Sequence, residues 1–268
     1  MPHAGEHRAT AEPLKYAERL TALLADRCGG ALVAAYLHGS AALGGWVAER
    51  SDIDVLFVVA DDIPRAAVTA AAGLLAAPGA DCPGLGLECS VVTASQARRP
   101  APPWPFVLHA SPAAGEPRVV WGDTRPGDRD LIMHYTACRA AGRTLLGPPA
   151  RDGIGTVARP VILGYLADEL GWGLAHAPEC YAVLNACRAL VFLADDVIVS
   201  KVAGGLAALD RSLAPPDLVR DALDQQQGRS PERAPGPEAI SFVTGAAATL
   251  RAAALRAAAA GRPADPPA

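Results

Sequence analysis

Apolar and polar positions along the chain follow two different rhythms. In residues 13–26, Leu14, Leu20, Leu23 and Leu24 recur among charged neighbours, and Pro13 sits in the first turn. That spacing predicts an amphipathic helix. Short apolar runs follow at 31–37 and at 51–59, the second ending in β-branched residues, and a third lies at 85–93. These read as strands. An alanine- and leucine-rich helix is predicted between the last two, at 64–77. Residues 94–127 are proline-rich and irregular, with Trp104, Phe106 and Trp121 as candidate anchors. Beyond residue 127 only the helical rhythm remains. Helices are predicted at 130–146, 159–173, 179–193, 202–213, 216–227 and 238–260. Gly147, Pro148 and Pro149 stop the first of these, and the polar segment 228–237 forms a connecting loop. The pattern divides the chain near residue 127 into an α/β half and a helical half.

Composition narrows the classes. Of 268 residues 51% are hydrophobic and 19% charged, which excludes a disordered chain. The formal net charge of −4 gives no electrostatic footprint for duplex nucleic acid, so a nucleic-acid partner is not expected. No run of about 18 apolar residues suggests a membrane span. Residues 1–13 are polar and carry no secretory core. The six cysteines form no C-x-x-C pair, so they read as reduced, buried apolar residues in a cytoplasmic protein, without a zinc site.

The candidate chemistry lies in residues 37–56, LHGSAALGGWVAERSDIDVL. Gly39 and Ser40 follow a predicted strand, and such a turn offers backbone N–H groups and a hydroxyl to a phosphate oxygen. Ser51-Asp52-Ile53-Asp54 begins eleven residues after Ser40. Residues two apart on a strand face the same side, so Asp52 and Asp54 project together while Ile53 enters the core. Two adjacent carboxylates repel, and a hard divalent cation with oxygen ligands is the natural compensation. Glu88 is a third acid, embedded in the apolar run 85–93. If its strand adjoins that of Asp52 and Asp54, three carboxylates converge. Such a site can hold magnesium on a triphosphate and leave one carboxylate to take a proton from an acceptor hydroxyl.

A GS turn, then DxD, then an acid on a later strand resembles the polymerase beta-type nucleotidyltransferases. More narrowly, Gly39-Ser40-Ala41, Gly44-Gly45 and residues 51–56 resemble the aminoglycoside 3''(9) adenylyltransferases, bacterial resistance enzymes that move AMP from ATP to streptomycin or spectinomycin. The likeness continues at Leu87-Glu88 and residues 91–93, at Asp130-Leu131, at residues 145–148 and at Leu184-Asn185 through Arg188. It implies an α+β fold, with a small mixed-sheet nucleotidyltransferase domain over 1–127 and an all-α helical bundle over 128–268. It implies ATP and a cationic small-molecule acceptor as partners, bound with magnesium in a cleft between the domains. Gly39 and Ser40 correspond to the phosphate-binding turn, Asp52 and Asp54 to the magnesium ligands, and Glu88 to the catalytic base, also within reach of the metal. Arg188 and Lys201, thirteen residues apart, correspond to an arginine and a lysine that reach the nucleotide. Trp172 and Glu179 fall at the acceptor-binding loop.

The chain also departs from the family. A tryptophan that helps hold streptomycin has no equivalent in residues 109–116, HASPAAGE. A nucleotide-positioning tyrosine has no counterpart near Leu223. The acidic acceptor loop is shortened to residues 172–179, with Glu179 its only carboxylate. These differences favour spectinomycin over streptomycin. Several residues have simpler readings. Glu88 fits an edge strand, Arg188 a brace to Asp195, and Lys201 a helix end where its charge suits the dipole. Glu179 fits a first-turn acid and Trp172 interface packing. His38 and His134 show no ligand spacing and read as structural or exposed. The alternative functions are transfer to another small-molecule, protein or RNA acceptor, or a non-catalytic nucleotide-binding module.

Overall fold

The computed structural model describes residues 11–77, 79, 81–112 and 119–260. The chain forms two compact units, one reaching Val157 and the other starting at Ala158.

The first unit is built on a six-stranded mixed sheet. Its strands are β1 (Leu32–Leu37), β2 (Ile53–Val59), β3 (Leu87–Thr93), β4 (Leu108–Ala110), β5 (Val119–Trp121) and β6 (Arg143–Leu146), arranged β5-β4-β3-β2-β1-β6. The single turn α2 (Gly39–Ala42) follows β1; only β2 and β3 run parallel, and α3 (Arg65–Ala76) connects them. A parallel pair needs such a crossover, whereas the antiparallel neighbours do not. Alternation along β2 and β3 assigns the two faces. Ile53, Val55 and Phe57, with Leu87, Cys89 and Val91, join a buried core with Leu20 and Leu24 of α1 (Ala11–Cys28) and Val68 and Leu75 of α3. Asp54 and Glu88 are on the other parity and face the opposite side.

The division falls later than the change of rhythm near residue 127. The periodic stretch 130–146 is α5 (Leu131–Ala141) followed by β6, which pairs antiparallel with β1. Gly142 marks the break, because a Cβ there would lie 2.5 Å from the Cys138 carbonyl oxygen. The short α6 (Ala150–Gly153) completes this unit. The irregular segment 94–127 carries α4 (Ala94–Arg98), β4 and β5, elements too short for periodicity to reveal. Trp104 and Phe106 are buried there, while Trp121 lies beneath the guanidinium of Arg65 at 4.3 Å.

The second unit is helical, with α7 (Arg159–His176), α8 (Glu179–Asp195), α9 (Lys201–Asp210), α10 (Pro216–Gln226) and α11 (Pro237–Ala260). The central helix is α8, which packs against the other four. Val183, Leu184, Cys187 and Val191 of α8 are buried, as are Val219 of α10 and Leu250 of α11. No described helix is long and apolar enough to cross a membrane.

Candidate active site

The turn after β1 is fixed by backbone geometry. The His38 N–H donates to the Asp54 carbonyl at 3.0 Å, tying the turn to β2. Gly39 has φ of +60°, and a Cβ on it would fall 1.8 Å from Asp54 Oδ2. Glycine is therefore required twice, for its left-handed conformation and for the space that the carboxylate fills. Ser40 opens inward: its Oγ is buried and has no hydrogen-bond partner. A buried hydroxyl without a partner is costly unless a ligand satisfies it.

Strand pairing brings the acids together. Asp54 and Glu88 are direct partners in the parallel register of β2 and β3, and Asp52 immediately precedes β2. Oxygens of Asp52, Asp54 and Glu88 lie within 4.8 Å of one another. Burial, then the charges of Asp54 and Asp52, hold the Glu88 pKa well above the usual glutamate value. Three half-buried oxygen donors that repel each other, beside the unsatisfied Ser40 hydroxyl, fit a hard divalent cation such as magnesium.

Other groups surround this cluster. His134, on α5, places Nε2 3.9 Å from Glu88 Oε1, and its side chain is only 12% exposed. Its ring stands 4.9 Å from that of buried His38. Burial lowers the pKa of both imidazoles, and Asp130 partly opposes this at His134. The two histidines thus belong to the surroundings of Glu88. His38 adjoins the GS turn and His134 follows Asp130 by one helical turn; these were the available sequence signals. Nearby, His109 Nδ1 lies 3.1 Å from Ser90 Oγ and 3.8 Å from Asp128 Oδ2. His109, Asp128, Asp130, Arg125 and Phe106 line a hollow of about 200 Å³. The family-lacking tryptophan position, in 109–116, runs into residues 113–118, which lie outside the described residues.

The helical unit gathers a second set of side chains. Arg188 of α8 donates to Asn185 Oδ1 at 3.0 Å. It does not brace to Asp195, which pairs with Arg211. Lys201 is the first residue of α9, not a residue just past a helix end. A cation at a helix N-terminus opposes the dipole; here the Lys201 ammonium sits 4.4 Å over the Tyr181 ring, an attraction to the aromatic face. The Tyr181 hydroxyl donates to Glu169 Oε1 at 2.7 Å. Tyr181 carries no motif signal, and only packing reveals its place. Trp172 is 51% exposed, stacked on His176 and edge-on to Tyr181. It is thus an open aromatic surface and not an element of buried packing.

Glu179, expected at the acceptor, lies buried as a brace. Its side chain is 3% exposed and ion-paired to Arg233 at 2.6 Å. It accepts from the Gly236 N–H at 2.9 Å and from Gln225 Nε2 at 3.3 Å. The carboxylate holds the 228–237 segment to the start of α8.

Residues 165–244 match the family model described as the aminoglycoside adenylyltransferase C-terminal domain. Comparison with curated proteins finds no match. Among solved structures, the chain is similar to a spectinomycin adenyltransferase, AAD(9) from Enterococcus faecialis, crystallised with ATP and spectinomycin. The TM-score is 0.59 at 13% identity, over 92% of this chain and 99% of that one. At that identity the likeness is one of fold: it supports the α+β architecture, with its mixed-sheet unit and helical unit. Residues 165–244 are thus similar to an aminoglycoside adenylyltransferase C-terminal domain, and the chain as a whole shares the fold of the spectinomycin enzyme.

Proposed function

We propose that the protein transfers AMP from ATP to a hydroxyl of an aminoglycoside-type antibiotic, with spectinomycin favoured over streptomycin, in a magnesium-dependent reaction that releases pyrophosphate. The observation that carries this reading is the set of three carboxylates on β2 and β3 beside the unsatisfied Ser40 hydroxyl. Asp52 and Asp54 would hold magnesium, with Glu88 as a further oxygen donor. When bound, the ion neutralises charge on the triphosphate. Ser40 and the backbone around Gly39 position phosphate oxygens. Arg188 and Lys201 bind the nucleotide and offset its charge. Glu88 accepts the proton of the acceptor hydroxyl as that oxygen attacks the α-phosphorus. A carboxylate whose pKa burial and neighbouring charges raise suits that role. Positioning and charge complementarity supply most of the rate enhancement.

The acceptor is a cation in this reading. Asp128 and Asp130 bring negative charge to the hollow lined also by His109 and Phe106, and Asp130 acts on Glu88. Exposed Trp172 offers a face to a cationic sugar or cyclitol. The test is pyrophosphate release from ATP with magnesium and a panel including spectinomycin and streptomycin. Release that depends on spectinomycin supports the proposal. ATP binding without antibiotic-dependent turnover on any member of the panel refutes it.

A further inference from the structure

A second hollow opens on the first unit, at the far end of β3 from Glu88. Ser95 and Gln96, two of its lining residues, follow that strand, whose Thr93 end is about 16 Å from Glu88 at the usual rise per residue. Its volume is about 250 Å³, near the lower limit for small-ligand sites. Arg99, Pro102, Trp104 and Tyr135 complete its working wall, and no acidic side chain lines it.

Three features of that wall call for a ligand. Tyr135 is 1% exposed and Trp104 6% exposed, and both line the hollow without a side-chain hydrogen bond to another described residue. Solvent still reaches the Tyr135 hydroxyl and the Trp104 indole N–H, so a ligand in the hollow can take their hydrogen bonds in place of water. Arg99, at the end of α4, is exposed and has no ion-pair partner among the described residues. Trp104 also holds φ of +67°, in the left-handed region that bulky residues avoid. Its N–H donates to the Ala101 carbonyl and its carbonyl accepts from the Asp128 N–H, both at 2.9 Å, so the surrounding chain enforces the conformation. Strain maintained in this way concentrates at ligand clamps.

We propose that this hollow binds a small carboxylate carried on a flat apolar body, an aromatic acid of the benzoate type. Tyr135 and Trp104 donate hydrogen bonds, Arg99 supplies the positive charge, and Pro102 and Trp104 supply apolar walls. Burial keeps the Tyr135 phenol neutral and therefore a donor. Nothing in this assignment depends on the transferase chemistry.

The test is calorimetric titration of the full chain with benzoate, with and without saturating ATP, checked by ligand-observed NMR. The expected result is one site of micromolar to low-millimolar affinity, unaffected by ATP. Benzamide, with the same ring and no charge, binds at least tenfold more weakly. Arg99→Gln and Tyr135→Phe each weaken benzoate at least fivefold and leave ATP affinity unchanged. The proposal is overturned by absence of benzoate binding, by equal binding of benzamide, by competition with ATP, or by unchanged affinity in either variant. Should Tyr135→Phe fail to fold, the exposed Arg99→Gln decides alone.

Discussion

Each residue at the candidate active site meets a constraint that a single substitution can expose. Gly39→Ala would drive a methyl into the Asp54 carboxylate and force a left-handed alanine. The backbone cost alone is about 1–2 kcal/mol. The variant is expected to melt lower and to lose most of its magnesium-dependent ATP affinity, measurable by calorimetry. Glu88→Gln should behave oppositely in stability. It removes an acid whose charged form burial, Asp54 and Asp52 disfavour, so the melting temperature in the absence of metal should hold or rise. Antibiotic-dependent turnover should fall by about 10²–10⁴-fold, the typical worth of a general base. Unchanged turnover would remove Glu88 from that role. Asp52, Asp54 and Glu88 were legible in the sequence because strand alternation and an acid inside an apolar run are local signals. His38 and His134 were not, since a turn and a distant helix bring them to the same carboxylate.

Among the elements, α8 and α9 carry the most informative contacts. Glu179 opens α8 and receives Arg233, Gly236 and Gln225. Glu179→Ala leaves Gln225 Nε2 and the Gly236 N–H without their acceptor, while half-exposed Arg233 keeps Asp221, and should cost about 1–3 kcal/mol. A thermal melt checks this, and nucleotide affinity at a temperature where the variant is folded should change little. Lys201 starts α9 behind the Ser200 cap, whose hydroxyl accepts from the Ala203 N–H at 3.2 Å. Lys201→Ala should weaken ATP binding about tenfold, roughly 1.4 kcal/mol, with little net change in stability, because the attraction to the Tyr181 ring that is lost is offset by removing a cation from a helix N-terminus. Equal ATP affinity in that variant would exclude Lys201 from the nucleotide site. Helix positions were legible from 3.6-residue periodicity almost throughout the second unit. β6 was not: Leu145 and Leu146 continue the helical pattern, and only the pairing of this strand with β1 reveals that the chain has become extended.

At the scale of the whole molecule, the mixed-sheet unit extends to Val157 and the helical unit follows. Removal of divalent metal by a chelator should abolish antibiotic-dependent pyrophosphate release, and magnesium should restore it. Magnesium with ATP should also raise the melting temperature, since ligand at about 100 times its dissociation constant stabilises by about 2.7 kcal/mol. Retained turnover in the chelated protein would contradict the role given to Asp52 and Asp54. The amino-acid sequence by itself determined β1 to β3, the longer helices, the GS turn and the three acids, because each is written in local periodicity or in a short ordered motif. Only the tertiary structure decided which strand lies beside which, and hence that Asp54 faces Glu88. It alone showed that Glu179 is a buried brace, that Lys201 rests on Tyr181, and that Trp104 and Tyr135 share one hollow. These are contacts between residues far apart in the chain, and their energies depend on burial and mutual distance, quantities that a linear pattern does not contain.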